Sequence, residues 1–417
     1  MYDKASIALI PSGYKAGSTD NLYSVLPANG NGDFNATRGS IATRVNKDGL
    51  IESVATNVPR LDYPLTNGVV GDCPHLLLEP SRTNLQVRSE EFDNSAWAKT
   101  NSSVSPNLGV APDGNISADK LIADTSNDKH YIQDVTSSLT GVYRASVFAK
   151  ADGYNYIEIG ERATGGARAV FNLSTGVIET EVASPDAKIE YYGNGWYRCS
   201  IEENMPSSNS FAFRISVSDN TTSDSSWTGN GVDGILIWGA QLEQGSYATS
   251  YIPTENDPSG VTRSADICNA SGTSAEFNDS EGVLFVEIAS LSDSESTVRS
   301  ISISDSSSNN RVQIGYSSAT NIRGQVRVGA SNQAALFSTQ TLSNFNKIAL
   351  LYKENDFKLF VNGSEAATDT SGSVFSANTL VELAFDDGSS NRFYGKCKQL
   401  IVFNEALSDS ELQTLTS

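Results

Sequence analysis

Histidine is nearly absent from the chain, with two in 417 residues. Any Ser-His-Asp triad would have to use His75, beside Pro74, or His130, in Asp128-Lys-His-Tyr131, and no neighbouring sequence marks a nucleophile. Cysteine is as sparse: Cys73, Cys199, Cys268 and Cys397 lie far apart, without the Cys-x-x-Cys spacing of a zinc or redox site, and read as free, mostly buried thiols. No stretch approaches the roughly 20 apolar residues that span a bilayer, and the richest runs, such as Ile235 to Trp238, have strand length. The start, Met1 to Pro11, lacks the apolar core and cleavage pattern of a secretory leader, so a soluble protein made without a signal peptide is expected. Positive charge is in deficit: 29 Lys and Arg against 49 Asp and Glu give a net charge of −20. Such a field repels phosphate backbones and anionic bilayers, which argues against nucleic acid and membrane insertion.

What is present is apolar alternation of period two. Phe211, Phe213, Ile215 and Val217 share one face of a strand, with Ala212, Arg214 and Ser216 on the other. Ile322 to Val328 alternates likewise and turns Arg323, Gln325 and Arg327 outward. Further strands are expected at 142–149, 154–159, 169–173, 177–182, 196–201, 235–242, 283–289, 348–352, 357–361, 380–385 and 400–403. Asn-Gly pairs at Asn194, Asn230 and Asn362 and Asp-Gly pairs at Asp152, Asp233 and Asp387 mark turns between them. Many short strands with turn signals make β-sandwiches. Only the C-terminus reads as helix, where Ser408 and Glu411 form a capping box and Leu407 with Leu412 a hydrophobic staple.

The fold expected is therefore all-β: tandem β-sandwich (jelly-roll) domains, an irregular N-terminal arm before them and one short C-terminal helical turn. The arm, 1–80, is rich in Gly and Asn, as in Ser12 to Gly17 and Asn29-Gly-Asn-Gly32, and cannot easily bury a core of its own. It is expected to order by packing on something else, so that its removal would leave the sandwiches folded. The first sandwich occupies 81–258, with the polar stretch Glu255 to Gly260 as linker, and the second 259–417, with Ser304 to Asn310 as an exposed loop.

The run Leu76-Leu-Leu-Glu-Pro-Ser-Arg-Thr-Asn-Leu85, then Ser89 to Trp97, Ala111-Pro-Asp-Gly114, Tyr143 to Lys150, Gly195-Trp-Tyr-Arg-Cys199 and Trp238 to Gly245 leading to Tyr251-Ile-Pro-Thr254, resembles carbohydrate-binding-module-like jelly rolls of bacteriophage virion proteins and bacterial surface proteins. The final block, with Lys347 to Tyr352, Phe357 to Gly363 and Leu400 to Leu412, resembles the concanavalin A-like (laminin G-like) family. Ile10 to Gly17 and Gly32-Asp-Phe34 are similar to arms that precede such jelly rolls in phage tail and structural proteins. These resemblances imply a non-enzymatic phage virion protein, a tail or fibre component on the particle surface that adheres to host-surface or environmental glycans. They also imply docking of the arm, 1–80, on the particle through other virion proteins, or oligomerisation through it, and a homo-oligomer that is a trimer by analogy with fibres. Alternatives are a capsid decoration, head-fibre or tail accessory protein of structural role, or a glycan depolymerase. Two carboxylates across a cleft would suffice for hydrolysis, although the Glu-x-Asp-x-x-Glu pattern of the family's glucanases is missing. Thr164-Gly-Gly-Ala167 lacks the lysine and the strand-to-helix setting of a phosphate loop and reads as a hairpin turn.

Sugars are held by aromatic faces together with amides and carboxylates. Trp196 and Trp238 lie in apolar strands and read as core, and Trp97 as an end plug. Trp227 sits in the polar loop Asn220 to Gly231, which makes it, with Asp224 and Asn230, the candidate glycan or subunit contact; a loop-anchoring plug is the alternative. Calcium is the one ion that the loops could take, through Asp386, Asp387 and Asn391, or through Asp124 and Asp128 near His130; solvated turns are the alternative.

Overall fold

The computed structural model describes residues 2–13, 21–183, 186–254, 259–293 and 297–417. Tyr14 to Gly17 of the arm motif and Glu255 to Pro258 of the expected linker lie outside them. Strands dominate, and the single α-helix among the described residues is Asp409–Thr416. It starts as its sequence requires: the Ser408 side chain and the Glu411 carboxylate cap each other's backbone N–H, and Leu407 and Leu412 are buried together.

The first sandwich is organised by two 23-residue strands, His130–Asp152 and Trp196–Ser218. They pair antiparallel along most of their length, with the register broken between Thr136 and Gly141. At that break the strands pass from one sheet of the jelly roll to the other. Beyond it Trp196–Ser218 takes Tyr156–Glu161 as its second neighbour, whereas the opposite end of His130–Asp152 takes Gly234–Gln244. The alternating face Phe211, Phe213, Ile215, Val217 points into the core. Trp97 closes one end against Phe92 and Phe213, its indole N–H donating to the Arg88 carbonyl.

The second sandwich packs an eight-stranded sheet on a five-stranded one. Three of the eight strands come from the first 80 residues. Ala5–Leu9 and His75–Leu78 both pair with Gly395–Phe403, and Leu61–Asp62 pairs with His75–Leu78. Ile7, Leu9, Leu22, Phe34, Leu61, Leu76 and Leu78 share one core with Leu284, Val286, Ile301 and Ile314. A hairpin of the same arm, Ala42–Val45 with Ile51–Val54, leans the other way, and its Ile51 packs with Ala111, Trp238 and Tyr251 of the jelly roll. The arm thus packs on both sandwiches of its own chain. The apolar residues that it contributes are too few for an independent core and complete the cores of its neighbours, so the expectation that the sandwiches stand without it does not match this packing.

No helix among the described residues is long and apolar enough to cross a membrane.

Candidate functional site

The five-stranded sheet turns one face into the core and the other outward, and its sequence divides between them by alternation. Ile301 and Ile303, Val312 and Ile314, Ile322 and Val326 point inward and are fully buried. Their alternate neighbours form three rows across the outer face. In one row Ser302, Gln313, Gln325 and Ala335 are successive partners. In a second, Ser304, Arg311, Arg327 and Asn332 follow one another, and in the third Ser300, Gly315, Arg323 and Phe337. Cross-strand neighbours stand about 5 Å apart, so three guanidinium groups share one polar surface.

Part of this surface is fixed by hydrogen bonds. Arg311 Nε donates to Gln313 Oε1 at 2.6 Å and Nη2 to Gln325 Oε1 at 3.1 Å, and Nη1 donates to the Ser308 carbonyl. Gln313 Nε2 in turn donates to Ser300 Oγ at 2.5 Å, and Gln325 Nε2 to Asn332 Oδ1 at 3.0 Å. Arg323 and Arg327 stand outside the network: the Nε of each is buried and has no hydrogen-bond partner among the described residues. Burial pushes the guanidinium of Arg311 below its ordinary value, the Asp387 charge opposes this, and Arg327 and Arg323 add to the depression. Burial likewise lowers Arg323, against Asp387. Arginine stays charged nonetheless, so the face concentrates positive charge in a chain of net charge −20. Phe337, half exposed, lies beside Arg323 and offers an apolar plane. Planar guanidinium forks, amides and an open ring together can hold a carboxylate or sulfate on a hydroxylated ring.

The candidates from sequence fall elsewhere or serve as structure. Asp387 lies at the edge of this face, but Oδ1 accepts from Asn391 N and Ser389 Oγ and Oδ2 from Asn391 Nδ2 at 2.7 Å, while Arg311 adds its charge. A carboxylate ringed by donors beside a guanidinium is not arranged for a cation, and Asn391 spends its amide on the same turn. Asp386 accepts from Gly388 N, and burial raises its pKa. Asp124 takes Ser126 N and Asp128 takes Lys129 N, each as a turn-former. Asp386, Asp387 and Asn391 are thus placed as turn-formers, the alternative to calcium, and among the described residues no three His, Cys, Asp or Glu side chains gather as a metal site.

Trp227 is corrected from an open platform to an internal plug. It is 6% exposed, its ring held edge-on by His130 and Tyr154 at 4.6 and 4.7 Å between centroids, and its carbonyl meets His130 Nε2 at 3.1 Å. Asp224 bonds Lys129 Nζ and Arg162 Nη2, both at 2.8 Å, with Arg214 at 3.7 Å. Burial works to raise its pKa, but the Lys129 hydrogen bond and the arginine charges outweigh it and lower the group. The carboxylate latches its loop onto the outside of the jelly roll, where Asp224 N also donates to Glu158. Asn230 closes a turn with Val232 and Asp233. The outward alternation of Arg323, Gln325 and Arg327 was the signal for the arginine face, but its partners Arg311 and Gln313 lie on a strand too short and polar to stand out.

Residues 284–413 match a family described as the Concanavalin A-like lectin/glucanases superfamily, which spans most of the second sandwich. No curated protein matches the chain. Among solved structures, the Ruminococcus gnavus IT-sialidase CBM40 bound to α2,3-sialyllactose is 20% identical, with 34% of this chain and 84% of that one covered and a TM-score of 0.30. Mouse laminin α1 chain domains LG4-5 are 9% identical over 68% of this chain and 90% of theirs, at a TM-score of 0.24. Trypanosoma rangeli sialidase in complex with the inhibitor DANA is 10% identical over 93% and 82%, at 0.29. Likeness at this level fixes neither a ligand nor an activity.

Proposed function

We propose that the protein is a non-enzymatic glycan-binding protein whose second sandwich holds acidic sugars on the face of Arg311, Arg323 and Arg327. The observation that carries this reading is the pair Arg323 and Arg327, arginines on one outward sheet face whose Nε atoms are buried without a partner among the described residues. A buried donor left unpaired costs about 1–3 kcal/mol, a cost that an anionic ligand removes. Phe337 supplies the stacking plane and the Gln313 and Gln325 layer holds Arg311 in place. We further propose, on the resemblance of residues 76 to 265 alone, that the protein is displayed on a phage particle as a tail, fibre or decoration component. Weak single sites would there be strengthened by many copies through effective concentration.

Calorimetric titration of the full chain with tetragalacturonate and with cellotetraose tests the glycan reading. The acidic oligosaccharide binds and the neutral one binds at least about tenfold more weakly, and the Arg323→Ala, Arg327→Ala double variant loses about tenfold or more. Equal affinity for the two sugars, or an unchanged double variant, overturns the assignment. The appearance of new reducing ends during incubation overturns the non-enzymatic part.

A further inference from the structure

A cavity of about 450 Å³ opens where the arm hairpin meets the jelly roll, within the size range of small-ligand pockets. Ile51, Glu52 and Ser53 wall it from the hairpin, and Glu90, Asp113, Ser117, Trp238 and Tyr251 from the sandwich. Two polar atoms of its lining residues are left without a partner among the described residues: the indole Nε1 of Trp238, a side chain 2% exposed, and the buried Oγ of Ser117. No lysine, arginine or histidine lines the cavity. Of its carboxylates, Glu52 is paired with Arg44 at 2.7 Å, Glu90 accepts from Tyr251 Oη at 2.8 Å, and Asp113 accepts from the Asn115 backbone and side chain. Burial, then the Glu90 charge, hold the Tyr251 phenol far above its usual pKa, and Asp113 adds to this.

We propose that this cleft is a second binding site, for a saccharide that carries a free amino group. The unpaired indole N–H and the Ser117 hydroxyl both have a donor to give, and sugar hydroxyl and ring oxygens accept. An ammonium group answers the charge of Asp113, whereas a uronate or sulfate would meet the cavity's carboxylates and no lining cation. The site is made only when the arm hairpin docks on the jelly roll. Its charge preference is opposite to that of the arginine face, and neither site rests on the other.

The test is calorimetric titration of the full chain with chitosan tetraose, its fully N-acetylated counterpart and tetralysine. Chitosan tetraose binds, and Asp113→Asn and Ser117→Ala each weaken it about fivefold or more. Ser117→Ala does not lower thermal stability, because its buried oxygen has no partner to lose. Glu365→Gln removes one negative charge at an exposed site far from the cleft in the fold and shifts the affinity less than about twofold, the scale of a screened surface charge. Absence of chitosan binding, or equal weakening by Glu365→Gln, overturns the site. Equal affinity for the N-acetylated tetramer overturns the role of the amine, and equal or tighter binding of tetralysine overturns the saccharide in favour of a basic peptide.

Discussion

Arg60 Nη1 donates to Glu79 Oε2 at 2.6 Å, and both side chains are shut off from solvent. Arg60 belongs to the arm and Glu79 to the segment that leads into the jelly roll, and the pair draws in the rest of the chain. Arg263 reaches the same Glu79 oxygen at 2.8 Å, Arg60 also bonds Asp266, and Arg38 meets Asp266 at 3.0 Å. Ser250, at the close of the jelly roll, gives Glu79 both its N–H and its hydroxyl. Breaking one partner out of such a network strands a buried charge and costs about 3–5 kcal/mol. Arg60→Met is expected to lower the unfolding free energy in urea by an amount of that order, and adding Glu79→Leu to lower it further, because the buried Arg263 then loses its carboxylate.

The acid response follows from the same carboxylate. Burial would raise Glu79, but the charges of Arg263 and Arg60 and the Ser250 hydrogen bonds prevail and hold it well below the usual carboxylate range. A folded value below the unfolded one gives stability that is complete above about pH 4.3 and is lost as pH falls further. Thermal midpoints between pH 2 and 6 should show this limb, flattened in Glu79→Gln.

Asp119 has the opposite sign. Burial pushes its pKa up to about 6, against the backbone N–H groups of Asn107 and Phe92 that bond its carboxylate. Its contribution is complete below about pH 3.9 and is lost as pH rises through about 6. Asp119→Asn should be less stable overall, since the amide nitrogen cannot accept from a backbone N–H, yet its thermal midpoint should change less between pH 4 and 6 than that of the parent.

Trp227 offers a prediction and also a measure of how far the sequence could be read. Trp227→Ala should cost about 3–5 kcal/mol in urea unfolding and leave glycan affinity unaltered. A polar sequence around one tryptophan suggests exposure, but His130 and Tyr154 lie distant in the chain and bury it only once the strands pair. The same limit hid the outer arginine face. Ser300-Ile-Ser-Ile-Ser304 and Arg311 to Tyr316 alternate, but serine and glutamine there are buried in a polar layer of hydrogen bonds, as Ser302 Oγ to the Asp386 carbonyl shows, and local composition reads like a loop. The apolar run from Ile348 to Tyr352 was legible almost to the ends of its strand, whereas the alternation from Phe211 to Val217 and the segment from Trp196 to Ile201 read as two strands, because the polar residues between them hide that Trp196–Ser218 is continuous. The capping box at Ser408 was legible because both of its partners lie within one helical turn.

Removal of residues 1–80 is expected to undo the second sandwich. Ala5–Leu9 and His75–Leu78 together cover the edge of Gly395–Phe403, and without them that strand presents unpaired N–H and C=O groups to other chains. The same deletion strips Ile7, Leu9, Leu22, Phe34, Leu61, Leu76 and Leu78 from the core, each contributing about 1.5–3 kcal/mol when fully buried. A total of that size equals or exceeds the net stability of an ordinary domain, about 5–15 kcal/mol. The jelly roll loses the hairpin around Ile51 and the Glu79 carboxylate that holds Ser250 and Arg263, but none of its own strands, so it should suffer less. Size-exclusion chromatography and urea unfolding of the shortened chain, followed by tryptophan fluorescence, which reports the jelly roll because all four tryptophans lie in it, separate the two outcomes. Aggregation with the tryptophan transition retained fits the packing of the arm, whereas a monomer that unfolds at the parent's midpoint would show that the second sandwich closes without it.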